Sequence, residues 1–216
     1  MRMTKIDFMI FDFDGTLVQS CQDLAAAVNY ALRRLGAPIL DLNTVKHFIG
    51  DGVKKLIERS LGDERKGDLD KAREIFLSYY EDHLLDTTSL YPGVLEILDH
   101  FHGIHKVIIT NKPENLTLKI AQGLGVDGYF EEIVGMDSRS YVKPDKRLLL
   151  PYLDKFSVDK EKTVVIGDGV NDVRLAKNAG VMSCALLNGL TDRNQLFALE
   201  PDFSCERISE LKDLFR

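Results

Sequence analysis

Tryptophan is absent from the chain, and cysteine and proline are scarce, at three and six residues of 216. Cys21, Cys184 and Cys205 are odd in number, far apart and without any C-x-x-C spacing. That pattern argues against a disulfide framework or a zinc knuckle and for reduced thiols used in packing. With so few prolines and no low-complexity tract there is no extended linker. Positive charge is also short: 28 Lys+Arg against 34 Asp+Glu give −6. This balance opposes nonspecific attraction to nucleic-acid backbones or anionic lipid, although a local basic pocket can survive inside it. No segment approaches the ~18 apolar residues of a membrane span, and the opening MRMTKIDFMIFDFDG lacks an apolar stretch ending in small residues. The expectation is a cytoplasmic protein with neither nucleic acid nor membrane as a partner.

What is present suits a globular chain: 44% apolar and 29% charged residues, with length for one large domain or one domain carrying a smaller insert. Five short apolar runs read as buried strands: FMIFD (8–12), KVIIT (106–110), EEIVG (131–135), TVVIG (163–167) and SCALL (183–187). None shows the polar alternation of a half-exposed strand, which predicts a parallel sheet. Helical patterns lie between them: PGVLEILDHF, PENLTLKIAQGLG and NDVRLAKNAG, the last two closing on glycine. The alternation predicts an α/β, doubly wound, Rossmann-like parallel sheet with helices on both faces.

The interval from Gln19 to Thr88 breaks the pattern, with no convincing strand. Ser20 and Asp23 have the spacing of a capping box; Leu24, Val28, Leu32 and Leu35 fall near helical spacing, and Gly36 with Pro38 provides a stop. VKKLIERSLG and LDKAREIFLSYYEDHLL predict two further helices. About seventy residues of helix is too much for a simple crossover. It predicts a separate helical domain over 18–88, hinged near 15–20 and 86–91, on a core formed by 1–17 and 89–216.

In a doubly wound sheet the loops at the carboxyl ends of the strands converge on one crevice. Those ends supply Asp12 and Asp14, then Thr110, then Asp168 and Asp172 in GDGVND, with Lys143 of YVKPD between strands. A D-x-D at a strand end can equally cap a helix or close a turn. Four carboxylates gathered together would drive one another's pKa values up unless a cation balanced them. Oxygen-only ligands favour a hard ion such as Mg²⁺, which completes its shell with waters and phosphate oxygens. One acid can then attack while its neighbour two residues on handles a proton.

The set DFDGT (12–16), IITN (108–111), VKPD (142–145) and GDGVND (167–172) resembles the four signature motifs of the haloacid dehalogenase superfamily, in its order and spacing. The resemblance is to phosphatase-type, phosphoglycolate phosphatase-like members whose helical cap follows the first motif. It implies Asp12 as nucleophile, forming an aspartyl-phosphate, and Asp14 as the acid and base that serves first the leaving alcohol and then the attacking water. It further implies that Thr110 and the Asn111 N–H hold phosphoryl oxygens and that Lys143 offsets charge. Asp12, the Asp14 carbonyl and Asp168 would bind Mg²⁺, with Asp172 in support. Lys146 stands where relatives often carry proline, and Gly169 where that branch often carries serine, which loosens the subfamily assignment.

Three other motifs stand out. GLGVDG (123–128) satisfies G-x-G-x-x-G but follows a helix and precedes a strand, the reverse of a dinucleotide site, so helix termination is expected. HFHGIH (100–105) is expected to be a helix end and not a metal site. FIGDGVKKL (48–56), inside the insert, is similar to a cap segment of phosphoglycolate phosphatase-like relatives. Gly50, Gly52 and Lys54 or Lys55 are therefore candidates for touching the organic part of the substrate, against the plainer alternative of a helix start with solvated lysines.

The resulting expectation is a Mg²⁺-dependent phosphatase acting on a small phosphorylated metabolite such as phosphoglycolate, as a monomer or homodimer. The alternatives are a sugar-phosphate mutase or pyrophosphatase on the same core, a phosphonatase using Lys54 or Lys55, and, outside enzymes, a phospho-acceptor signalling module. Asp14 disfavours dehalogenation, which needs no such proton-transfer group.

Overall fold

Neighbouring residues of the first strand, β1 (Phe8–Phe11), serve opposite faces of the sheet: Phe8 and Ile10 join one apolar cluster, Met9 and Phe11 another. Both faces are therefore dry, and an unbroken apolar run is what such a strand requires. The structure is a computed structural model that describes residues 3–216. The other strands are β2 (Val18–Gln19), β3 (Ser89–Leu90), β4 (His105–Ile109), β5 (Glu132–Val134), β6 (Thr163–Gly167), β7 (Met182–Leu186) and β8 (Phe203–Cys205).

Six of them form a single sheet in the order β5-β4-β1-β6-β7-β8, with every neighbouring pair parallel. The five expected strands are all present. The sixth, β8, is a three-residue edge strand whose pattern, one residue buried and two not, carries no sequence signal. The chain leaves β1 in one direction for β4 and β5 and in the other for β6 and beyond. This is a topological switch point, which opens a crevice at the carboxyl ends of β4, β1 and β6.

The helices are α1 (Cys21–Arg34), α2 (Leu42–Lys46), α3 (Val53–Leu61), α4 (Leu69–Asp82), α5 (Val94–His100), α6 (Glu114–Gly123), α7 (Leu150–Phe156), α8 (Val170–Ala179), α9 (Arg193–Phe197) and α10 (Leu211–Leu214). Helices α1 to α4 make up the insert. Its two ends are pinned together by the antiparallel pair β2–β3, Val18 opposite Leu90 and Gln19 opposite Ser89. The insert is thus all helix except at its mouth, where the sequence showed no strand because each partner is only two residues long. One apolar cluster runs from Phe11 and Leu17 through Leu24 and Leu56 to Phe76 and Tyr80, seating the insert on the sheet core.

The expected capping box does not form. The Ser20 hydroxyl donates to Asp14 instead of accepting a helix N–H, and Asp23 receives the backbone N–H and hydroxyl groups of Thr87 and Thr88. A carboxylate acceptor gives a stronger, charge-assisted bond than a neutral cap, so the long-range partners win. GLGVDG ends α6 and leads through a 3₁₀ turn (Asp127–Tyr129) toward β5. In HFHGIH, His100 closes α5, and His105 opens β4 with its Nδ1 2.8 Å from Glu131. Cys184 and Cys205, on adjoining strands, are free buried thiols with sulfurs 4.0 Å apart.

Candidate active site

β1 ends at Phe11, and the next residue, Asp12, keeps the sheet pattern by donating its N–H to the Ile166 carbonyl at 2.9 Å. That places its side chain at the mouth of the crevice. The loop then turns sharply at Gly15, whose φ is +84°, and this close approach is required: a Cβ there would lie 2.3 Å from Asp168 Oδ2. Asp168 follows β6 and is held from both sides. Thr16 Oγ1 donates to its Oδ1 at 3.0 Å and the Leu190 N–H to its Oδ2 at 2.6 Å. Asp172, in the first turn of α8, accepts the Gly169 N–H at 2.9 Å.

Carboxylate oxygens of Asp12, Asp168 and Asp172 all lie within 4.8 Å of one another. Lys143 Nζ stands among them, 2.8 Å from Asp12 Oδ1 and 2.6 Å from Asp172 Oδ1. Its ammonium donates to Asp172, whereas Asp12 Oδ1 is buried and receives no hydrogen bond in spite of that proximity. Burial alone would pull Lys143 down; the charges of Asp12 and Asp172 outweigh it and push its pKa above the ordinary lysine value. Burial, then the Asp12 charge, pushes Asp168 and Asp172 up to about 7. Such a buried, all-oxygen donor set, with more carboxylates than the Lys143 ammonium alone can neutralise, fits a hard divalent cation.

Asp14 faces the other way. Lys112 Nζ donates to its Oδ1 and Oδ2 at 3.1 and 3.2 Å, and Ser20 donates to Oδ1. Four carboxylates and two ammoniums leave the site with a deficit of two positive charges, which one divalent ion cancels. Thr110, after β4, is buried; its Oγ1 accepts the Lys112 N–H at 3.2 Å, leaving the hydroxyl proton free for an oxyanion. Asn111 binds three loops at once. Its Oδ1 accepts the Lys143 N–H at 3.0 Å, and its Nδ2 donates to the Gly50 carbonyl of the insert at 3.1 Å.

The crevice is roofed by the insert and has two chambers that share Asp12, Asp14 and Gly50. A smaller one of about 40 Å³ has largely apolar walls. A larger one of about 210 Å³ is lined by Lys143, Asp168 and Asp172 together with Asp51 and Asn171. Gly50 and Gly52 reach the site, where a Cβ on Gly52 would press against Met136 and the Asn111 carbonyl. Lys54 does not reach it. Its side chain is exposed and lines neither chamber, and Lys55 is spent on Glu58 at 2.7 Å, because α3 turns both lysines to solvent while Leu56 and Ile57 are buried.

A family model for haloacid dehalogenase-like hydrolases matches residues 9–186, a span that contains every strand-end residue just described. The chain belongs to this family. Among the relatives of this haloacid dehalogenase-like hydrolase, the phosphoglycolate phosphatase of Chromobacterium violaceum is 35% identical over 223 residues, covering 100% of this chain and 99% of the relative. The phosphoglycolate phosphatase of Colwellia psychrerythraea is 36% identical over 220 residues, covering 98% and 97%. A crystal structure of a predicted phosphoglycolate phosphatase from Haemophilus somnus superimposes with a TM-score of 0.91 at 28% identity, covering 98% of this chain and 99% of that one. Membership of a hydrolase family sets aside the signalling-module alternative. Among the described residues, no helix is long and apolar enough to cross a membrane.

Several groups of this hydrolase's site escaped sequence reasoning. Lys112 directly follows the IITN motif, and Asn171 lies inside GDGVND, so both were adjacent to a signal. Tyr80, whose hydroxyl accepts from Lys112 at 2.7 Å, looks in sequence like any apolar-face aromatic of α4. Its pKa is pushed up to about 12, chiefly by burial.

Proposed function

We infer that the protein is a Mg²⁺-dependent phosphatase that hydrolyses a small phosphate monoester of the phosphoglycolate type. The observation that carries this is the grouping of carboxylate oxygens of Asp12, Asp168 and Asp172 within 4.8 Å of one another beside Lys143. The names of the relatives support the choice of a short leaving group. Asp12, Asp168 and, in support, Asp172 would hold Mg²⁺ together with the Asp14 carbonyl. When bound, the ion supplies charge neutralisation for the phosphoryl oxygens.

The chain's own groups do the rest. A carboxylate oxygen of Asp12 forms a bond to phosphorus as the bond from phosphorus to the alcohol oxygen breaks, giving an aspartyl-phosphate. Asp14, in its protonated form, gives its proton to the departing alkoxide. Water then attacks phosphorus, Asp14 takes a proton from it, and phosphate leaves as Asp12 is regenerated. Thr110 Oγ1–H and the Asn111 N–H orient the transferring group, and Lys143 balances its charge, which is most of what phosphoryl transfer requires. The insert over the crevice excludes bulk water during these steps and must open for release. Residues 18–88 act in this way as a cap on a core of 1–17 and 89–216.

The test is phosphate release from a panel of monoesters, with phosphoglycolate, hexose phosphates, nucleotides and pyrophosphate, in Mg²⁺ and in chelator, for the wild type and Asp12→Asn. Release from phosphoglycolate that needs Mg²⁺ and vanishes in Asp12→Asn is expected. Absence of release from every monoester would end the case for a phosphatase.

A further inference from the structure

We propose that Tyr80 and Lys112 form a receptor for an anionic group carried on the leaving alcohol, and that this pair selects a phosphorylated hydroxy acid over neutral esters of the same size. The proposal rests on the phosphatase activity inferred above. The smaller chamber lies directly over Asp12 and Asp14, and its walls include Leu24, Ile49, Val53, Leu56 and Leu116. Lys112 is the one basic residue among the described residues lining it, and its side chain is 4% exposed. Its ammonium donates to Asp14 Oδ1 and Oδ2 at 3.1 and 3.2 Å and to the Tyr80 hydroxyl at 2.7 Å. With the two Asp14 contacts shared by one proton, one of its three protons is left for a ligand, whereas Lys143 does not line this chamber and is committed to Asp12 and Asp172.

Tyr80 brings the second donor. Its hydroxyl is occupied as an acceptor by Lys112 at 2.7 Å, and its own proton has no acceptor among the described residues, although the residue is only 1% exposed. A phenol can donate and accept at once, so the proton is available to a ligand in the chamber. The ammonium also lies 4.6 Å from the Tyr80 ring centroid, which fixes the two groups as a unit.

A purely apolar leaving group would need neither donor. A carboxylate placed among those aliphatic walls without one would be strongly disfavoured, because a buried charge must be paired. Tyr80 comes from α4 of the insert and Lys112 from the loop after β4, so the receptor exists only while the insert sits on the core. Selection of the leaving group and closure over the crevice therefore depend on the same contact.

The experiment compares phosphoglycolate with its neutral isostere, carbamoylmethyl phosphate, in Mg²⁺, for the wild type, Lys112→Met, Lys112→Arg and Tyr80→Phe. The readout is the ratio of kcat/KM for the two esters, which divides out any loss from disturbing Asp14. The wild type should favour the acid; Lys112→Met should lower the ratio by about thirtyfold or more, and Tyr80→Phe, which removes one oxygen, by about threefold to tenfold. Lys112→Arg should retain part of the preference. A wild type that hydrolyses both esters equally, or a ratio unmoved in both Lys112→Met and Tyr80→Phe, overturns the receptor and leaves the phosphatase standing. Failure to hydrolyse any monoester overturns both.

Discussion

The carboxylate of Asp23, in the first turn of α1, accepts the Thr88 N–H at 2.8 Å and the Thr88 hydroxyl at 2.7 Å across 65 residues of chain. With Thr87 donating as well, one acid gathers the outgoing and returning ends of the insert beside the β2–β3 pair. Replacing it with alanine strands the two donors of buried Thr88 and releases the two of exposed Thr87 to water. Asp23→Ala should lose about 2–4 kcal/mol in urea unfolding, and a loss under half a kcal/mol would show that the β2–β3 pair suffices.

The same residue has a pH signature. Burial pushes the Asp23 carboxyl up, but the hydrogen bonds from Thr87 and Thr88 outweigh it and hold the group below its ordinary value of 3.8. A depressed folded-state pKa contributes stability that is present above 3.8 and is lost as pH falls through the folded value. The stability of Asp23→Asn should accordingly change less between pH 5 and acid unfolding than that of the wild type. Parallel curves in urea titrations would contradict this.

Asp168 and Asp172 have the opposite sign. Burial first and the Asp12 charge second push both up to about 7, so without metal the folded chain holds protons that the unfolded chain has released. From pH 3.8 toward about 7 these two groups therefore make stability fall as pH rises. On the function proposed above, Mg²⁺ would relieve that repulsion and would have to displace the protons. The rise in Tm produced by Mg²⁺ should be larger at pH 8 than at pH 5, and proton release on binding, read by calorimetry in buffers of different ionisation enthalpy, should be present between pH 5 and about 7 and fade by pH 8. A shift independent of pH would argue against these carboxylates as the ligands.

Gly15 is a third point of leverage. At φ +84°, with Asp168 Oδ2 2.3 Å from where a Cβ would sit, alanine there strains the backbone and pushes the Asp168 carboxylate aside. Gly15→Ala should cost about 1–3 kcal/mol of stability and weaken Mg²⁺ binding about tenfold or more. Unchanged metal affinity in a folded variant would mean that Asp168 has room to move without consequence.

Much of this was legible in the sequence, for identifiable reasons. Strands β1, β4, β5, β6 and β7 appear as apolar runs because the sheet is covered on both faces; the carboxyl ends of β1, β4 and β6 deliver Asp12, Thr110 and Asp168, with Lys143 supplied by the segment between β5 and β6. β8 was not legible, since an edge strand of three residues needs no such run; nor was α2, a five-residue helix that buries Val45 alone. Ser20 and Asp23 showed the correct spacing for a local cap, yet partners 6, 64 and 65 residues away claimed them. Lys54 had the correct chemistry on the wrong side of α3. Tyr80 reached the site only through the docking of α4 onto a loop 32 residues further along, which no local pattern encodes.

The latch over the crevice is also nonlocal, and it is testable. Asn171, at the start of α8, donates to Asp51 Oδ1 at 2.7 Å, while Arg59 of α3 holds Asp51 Oδ2 from within the insert. Burial raises the Asp51 carboxyl, but bonds from Arg59 and Asn171 outweigh it and set it below its ordinary value, so it is an anion throughout the neutral range. Because Asp51 is about two-fifths exposed, the contact is worth only about 0.5–1 kcal/mol. Asp51→Ala and Asn171→Ala should each raise KM about threefold by letting the Gly50 loop lift from Asn111, with little change in unfolding free energy. The two variants share the Asn171–Asp51 bond, although Asp51→Ala also frees Arg59 and Asn171→Ala also loses its 3.5 Å bond to the Gly50 carbonyl, so the double variant should be less than multiplicative, and strictly multiplicative effects would show that the loop is held closed by something else.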